Sequence, residues 1–188
     1  MSYKNMIEIE IRAKIENPEK IKVDLEKLGA KFIKSQKQID RIFGHKQFLD
    51  ENNMIIEGGL SARIRTIDNV SILEFKEISR EKGGMEIVSN LSDANIGIAF
   101  LTKLGFEEAF TIAKQRNFYS YENLEIAVDD VEQLGYFIEV EKMIDYDDDK
   151  DTAKRECEDF LKKLGENLVV EKRKYGDLMQ EMINQNKL

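Results

Sequence analysis

The sequence predicts an α+β fold: a closed antiparallel β-barrel of about eight strands, helices packed on its outside, and a polar tunnel within. Three observations lead there. Residues 7–15 read Ile-Glu-Ile-Glu-Ile-Arg-Ala-Lys-Ile, apolar at every odd position and charged at every even one. That period of two, rich in isoleucine, marks a strand. Three segments elsewhere carry apolar residues at helical spacing and need apolar sheet surface to pack on. The charged strand faces are segregated by sign, whereas a solvated surface mixes signs across neighbours. If the helices cover the outside, the charged faces point inward.

Taken in order, Asn17-Pro18 ends the first strand and starts a helix, with Asn17 as N-cap and Pro18 at the first helical position. Ile21, Leu25 and Leu28 form its stripe and Gly29 ends it. Residues 32–33 and 38–43 read as extended, and 44–59 as a polar, irregular loop. Residues 62–67 and 70–76 form a hairpin closed by Asp68-Asn69. Gly83-Gly84 turns the chain into a short strand over 85–88. A second helix, capped by Ser92 or Asp93, carries Ile96, Phe100 and Leu104 and stops at Gly105. Residues 111–121 and 124–129 form a second hairpin, and 136–143 another alternating strand. The acidic run 145–151 suits the N-terminus of a third helix, with Ala153, Cys157, Phe160, Leu161 and Leu164 on one side. That run lacks the spacing and glycine of a calcium loop. Residues 169–171 are extended, and 175–182 close the chain as a short helix.

The bulk numbers set limits. A chain of 188 residues fits one domain, taken here as 1–188, and 41% hydrophobic residues are enough for a core. The net charge of −8 argues against a nucleic-acid surface. One cysteine excludes an internal disulfide and a cysteine zinc cage. No apolar run is long enough for a membrane and no signal-like N-terminus is present, so a soluble cytoplasmic protein is expected. A homodimer is compatible with all of this. Three predicted helices end Lys-Leu-Gly, at Gly29, Gly105 and Gly165, which reads either as an internal duplication or as a common helix ending.

The charged faces carry the chemistry. Glu8 and Glu10 share one face, roughly 6.7 Å apart along the strand. Glu139 and Glu141 repeat the pattern, and Asp129 lies on another strand. Arg63 and Arg65 flank Ile64, Glu74 and Lys76 flank Phe75, and Lys114 and Arg116 share a face. Buried like charges are costly without partners. A polyanion with divalent metal satisfies both sets: cations hold phosphate oxygens and carboxylates hold the metal. No Gly-x-x-x-x-Gly-Lys loop is present.

These motifs resemble the CYTH superfamily of triphosphate tunnel enzymes, which includes class IV adenylyl cyclases and thiamine and inorganic triphosphatases. The family's Glu-x-Glu-x-Lys strand reads Glu8-Ile9-Glu10-Ile11-Arg12 here, with arginine in place of lysine. Ala62-Arg63-Ile64-Arg65, Glu74-Phe75-Lys76 and Lys114-Gln115-Arg116 are similar to its basic strands. Residues 129–141 resemble its Asp-x-Val-x-x-Leu-Gly-x-Phe-x-Glu-x-Glu block, and Lys174-Tyr175 its basic-tyrosine pair. Gln38-Ile39-Asp40-Arg41-Ile42-Phe43 resembles a cyclase-like segment with Ile42 where tyrosine stands.

The resemblance implies a metal-dependent enzyme on ATP or another triphosphate. Glu8, Glu10, Asp129, Glu139 and Glu141 would hold Mg²⁺ or Mn²⁺. Arg12, Arg63, Arg65, Lys76, Lys114, Arg116 and Lys174 would clamp the triphosphate, with Arg12, Lys76 and Lys114 as the catalytic residues. A class IV-like cyclase, making cyclic AMP and pyrophosphate, is the first expectation. A triphosphatase is the alternative, and a non-catalytic polyphosphate or nucleotide sensor a further one. A lysine–tyrosine dyad for activating water does not carry over. Arginine holds its proton too firmly to act as a base, and Ile42 has no hydroxyl. Among the lone residues, His45 is read as a surface histidine and Cys157 as core. Phe118, Tyr119 and Tyr121 are read as packing residues.

Overall fold

The computed structural model describes residues 6–51, 55–56, 58–68, 70–77, 86–164 and 168–185. They form nine strands and four α-helices: β1 (Met6–Ile15), α1 (Pro18–Leu28), β2 (Lys31–His45), β3 (Leu60–Ile67), β4 (Val70–Glu77), β5 (Glu86–Leu91), α2 (Ala94–Lys103), β6 (Phe106–Tyr121), β7 (Leu124–Val131), β8 (Gly135–Asp145), α3 (Lys150–Lys163), β9 (Val169–Val170) and α4 (Tyr175–Gln185). The strands are hydrogen-bonded in the order β5-β4-β3-β2-β6-β7-β8-β1-β9. The pairs β1–β8, β1–β9, β2–β3, β3–β4, β4–β5 and β7–β8 are antiparallel.

The α+β class holds, but the expected hydrogen-bonded ring of about eight strands does not. Among the described residues the order is linear, with β5 and β9 as its end strands. Closure needs the two end strands to pair, and no local pattern specifies that. Two further expectations shift. β2 is one continuous strand through residues 31–45, and the expected loop begins only after it, with a short 3-10 turn at Lys46–Phe48. The Gly83-Gly84 turn and Asn69 lie outside the described residues.

The helix ends follow their sequence signals. Asn17 Oδ1 accepts the Lys20 amide at 3.0 Å, Pro18 opens α1, and Gly29 closes it at φ 90°, a left-handed conformation natural to glycine. Asp93 caps α2 and Asp149 caps α3, with Asp151 in its first turn. The acidic run thus serves the helix N-terminus, as expected. Gly105, after α2, takes φ 89°. Two helix-ending glycines with the same left-handed backbone support the plain reading of the repeated Lys-Leu-Gly.

The chain divides into two compact units, Met1–Gln36 with Gln115–Lys174, and Lys37–Lys114 with Tyr175–Leu188. In the first, α1 and α3 cover the apolar face of β1, β7 and β8. Ile11, Ala13, Ile15, Ile126, Val128, Ile138 and Val140 meet Ile21, Leu25, Phe160, Leu161 and the buried Cys157 there. Each fully buried aliphatic side chain contributes about 1.5–3 kcal/mol. In the second unit, α2 covers Phe43, Ala62, Ile64 and Phe106 through Leu101. Both helical layers take one strand face, which leaves the alternate residues of each strand on the other. No helix among the described residues is long and apolar enough to cross a membrane.

Candidate functional site

In the first unit the strand register brings the expected carboxylates together. β1 runs antiparallel to β8 with Glu10 opposite Glu141 and Arg12 opposite Glu139. β7 pairs with the far side of β8, placing Ala127 opposite Glu139. Two guanidiniums knit this face. Arg12, 9% exposed, donates from Nε to Glu139 Oε1 at 2.5 Å, from Nη2 to Glu10 Oε1 at 2.5 Å and from Nη1 to the Arg173 carbonyl at 2.7 Å. Arg116 binds Asp129 in a fork, at 2.8 and 2.6 Å, and also bonds Glu139. Its Nη1 lies 3.8 Å from Glu141 Oε1. Glu139 is 2% exposed, and each of its oxygens meets a different arginine.

The carboxylates then fall into two sets. Asp129 and Glu139 are buried and bonded through both oxygens to guanidinium groups. Glu8, Glu10 and Glu141 each offer an oxygen, and these atoms lie within 4.8 Å of one another. Burial raises the Glu141 carboxyl to about 7, with Glu139, Glu8 and Glu10 adding to the rise against the pull of Arg116. Burial likewise raises Glu10, reinforced by Glu139 and opposed by Arg12. Carboxyls raised as Glu10 and Glu141 are can be stabilised by a cation that replaces their protons. An all-carboxylate donor set suits a hard divalent ion such as Mg²⁺ or Mn²⁺, so these residues fit the expected metal. Of the five expected carboxylates, Glu8, Glu10 and Glu141 have clustered oxygens, while Asp129 and Glu139 each meet arginine through both oxygens.

The second unit carries the cationic face. Arg65 lies opposite Asp40 and Arg63 opposite Glu74 in the ladders. Arg65 forks onto Asp40 at 2.7 and 2.6 Å, Arg63 bonds Glu74, and Arg63 Nη1 sits 3.6 Å from Asp40. Burial works to raise the Asp40 carboxyl, but Arg65, Arg63 and Lys114 outweigh it and hold it below the ordinary range. Lys114, 5% exposed, stands 4.9 Å over the ring of Tyr175 at the start of α4. Lys76 is half-buried on β4, opposite Ser61. On this strand face four expected cations therefore stand with two carboxylates, Asp40 and Glu74, a local positive excess suited to phosphate oxygens. Ile42 is paired with Arg63, so an apolar side chain stands where the family's tyrosine would. Lys174 is the last residue of the first unit.

Asp40 and Glu74, absent from the expected ligand list, prove to be the partners that orient the arginines. For Glu74 the available signal was its place between Leu73 and Phe75; Asp40, between Ile39 and Arg41, carried no such alternation. Gln38, 3% exposed, leaves its Oε1 with no hydrogen-bond partner among the described residues. His45 is more packed than a surface residue: its ring lies 5.1 Å from Phe106 and its Nδ1 accepts the Gln47 amide at 3.3 Å. Tyr119 and Tyr121 pack as expected, against Phe32 and Phe160. Phe118 instead stands beside Arg116, 5.6 Å away, and Lys34, 5.1 Å away.

Comparison with known proteins decides the family. A profile of the CYTH domain matches residues 6–174. The chain belongs to the CYTH family. A Methanocaldococcus jannaschii protein named "putative adenylate cyclase" is 34% identical over 166 residues, covering 85% of this chain and 90% of that one. A conserved hypothetical protein of Pyrococcus furiosus has a solved structure with TM-score 0.71 and 26% identity, covering 90% of this chain and 98% of its own. A Hippeastrum protein with a dominant triphosphatase activity shares the fold at TM-score 0.66 and 18% identity, over 93% of this chain and 96% of its own. CYTH triphosphate tunnel enzymes generally depend on divalent metals, and the acidic cluster of this CYTH domain is of the matching kind.

Proposed function

We propose that this CYTH protein is a soluble, cytoplasmic, metal-dependent enzyme acting on triphosphates as a single functional domain, and that its reaction is cyclisation of ATP to cyclic AMP and pyrophosphate. The observation that carries the triphosphate reading is the separation of charge. A carboxylate cluster short of counter-charge lies in one unit and a face with excess cations in the other. Glu8, Glu10 and Glu141 hold Mg²⁺ or Mn²⁺. When bound, the metal supplies charge neutralisation and a lowered pKa for the attacking oxygen. Arg63, Arg65, Lys76 and Lys114 hold the phosphate oxygens, and Asp40 and Glu74 aim the two arginines. Lys174 belongs to the expected set of cations as well, and its remaining two members, Arg12 and Arg116, are bonded among the carboxylates. The polar tunnel expected from the sequence belongs to this proposal and rests on family membership, not on hydrogen-bonded closure.

The name of the Methanocaldococcus relative favours cyclisation, in which the ribose 3′-hydroxyl attacks the α-phosphorus and pyrophosphate leaves. The activity of the Hippeastrum protein favours a second reading, in which water attacks the terminal phosphorus and orthophosphate leaves. Incubating the protein with ATP, thiamine triphosphate and tripolyphosphate, each with Mg²⁺ or Mn²⁺, and separating the products by chromatography distinguishes them. Cyclic AMP with pyrophosphate is the expected result. Cyclic AMP at buffer level with rapid tripolyphosphate cleavage replaces the first reading by the second. Binding without any product leaves a sensor.

A further inference from the structure

The family resemblance places a lysine where this chain has Arg12, and the arginine does something a lysine cannot. Its guanidinium meets acceptors from three separate stretches: Glu10 on its own strand, Glu139 on β8 and the Arg173 carbonyl beyond β9. Three different nitrogens make these three bonds, which requires a planar fork; an ammonium presents its donors from one point. The backbone adds a fourth link, since the Glu171 amide donates to the Arg12 carbonyl at 2.8 Å. Beyond it, Glu171 folds back onto Arg173, accepting from its amide at 2.9 Å and from Nε at 2.8 Å. Arg12 is therefore the node between the carboxylate cluster and the strap of residues 171–173.

A phosphate clamp needs cations in excess of their carboxylate partners. Arg12 lies instead among five carboxylates, Glu8, Glu10, Asp129, Glu139 and Glu141, with Arg116 as the other guanidinium bonded into that face. A phosphate reaching Arg12 would have to displace Glu10 or Glu139 and then sit against them. We propose that Arg12 is a positioning residue: it holds Glu10 for the divalent ion shared with Glu8 and Glu141, and ties that site to the strap. This rests on the metal reading above. The chain Asp129–Arg116–Glu139–Arg12–Glu10 then acts as a stiff frame, two guanidiniums bridged by one buried carboxylate. Glu8, bonded to neither arginine, is left to follow the cation.

The test is direct Mn²⁺ binding, read from the free-ion paramagnetic resonance signal with no triphosphate present, for the parent and for Arg12→Lys. Arg12→Lys keeps the charge and loses the fork. Mn²⁺ affinity should fall about tenfold, the usual loss when a ligand's supporting partner is removed. Tripolyphosphate affinity at saturating Mn²⁺ should stay within about twofold of the parent, because the clamp is elsewhere. Unchanged Mn²⁺ affinity with lost tripolyphosphate affinity overturns the proposal and makes Arg12 a phosphate ligand. A parent that binds no Mn²⁺ overturns the metal reading itself, and this inference with it. A measurement on the parent alone guards against a variant that fails to fold. Mn²⁺ should slow hydrogen exchange at the Glu171 amide several-fold, and exchange unchanged by Mn²⁺ overturns the coupling to the strap.

Discussion

Replacing Glu141 by glutamine should stabilise the metal-free protein at alkaline pH and destroy its response to metal. The sign follows from the raised carboxyl. Burial, with Glu139, Glu8 and Glu10 nearby, lifts Glu141 from 4.5 to about 7. Between those values the folded chain holds a proton that the unfolded chain releases, so stability falls as pH rises, and above about 7 the whole penalty is present. At about 1.4 kcal/mol per pH unit, a rise from 4.5 to about 7 corresponds to about 3 kcal/mol. For a chain of 188 residues that is roughly 6–12 °C in melting temperature. Glutamine mimics the protonated form, so Glu141→Gln should melt higher than the parent by up to that amount at pH 8.5 in EDTA, and equally near pH 4.5. Mn²⁺ at a hundredfold excess over its dissociation constant should stabilise the parent by about 2.7 kcal/mol and the variant far less. Thermal melts at both pH values, with and without Mn²⁺, are the assay. Equal melting of the two proteins at pH 8.5, or equal gains from Mn²⁺, would refute the reasoning.

Other outcomes follow from the same contacts. Arg65→Lys keeps a charge beside Asp40 but loses one arm of the fork, so tripolyphosphate binding measured by calorimetry should weaken about tenfold while the fold survives. Parent-like affinity would place Arg65 outside the phosphate site. Asn17→Ala removes the acceptor for the Lys20 amide and should lower stability by about 1 kcal/mol in urea melts, with no effect on metal binding. Cys157, 0% exposed with its thiol pushed up to about 11 by burial, should resist iodoacetamide in the folded protein and react promptly in urea. Quick labelling of the folded chain would contradict a sealed core under α3.

The sequence by itself determined which residues share a face. A period of two along β1 puts Glu8, Glu10 and Arg12 on one side and Ile11, Ala13 and Ile15 on the other, whatever the strand pairs with. The cap at Asn17 was equally local, because a side-chain oxygen three residues ahead of an amide needs no distant partner, while the structure chose Asp93 over Ser92 and Asp149 within the acidic run. Pairing is a long-range property, and there the tertiary structure decided. Arg12 and Glu139 stand 127 positions apart, and only the β1–β8 register makes them a bonded pair. The same register leaves Asp129 and Glu139 bonded through both oxygens to arginine and brings oxygens of Glu8, Glu10 and Glu141 within 4.8 Å of one another. Sequence could not separate them, since each is a carboxylate on a strand next to at least one apolar residue. The linear strand order likewise depends on which edges find partners, a matter of hydrogen bonds between distant segments that no local periodicity encodes.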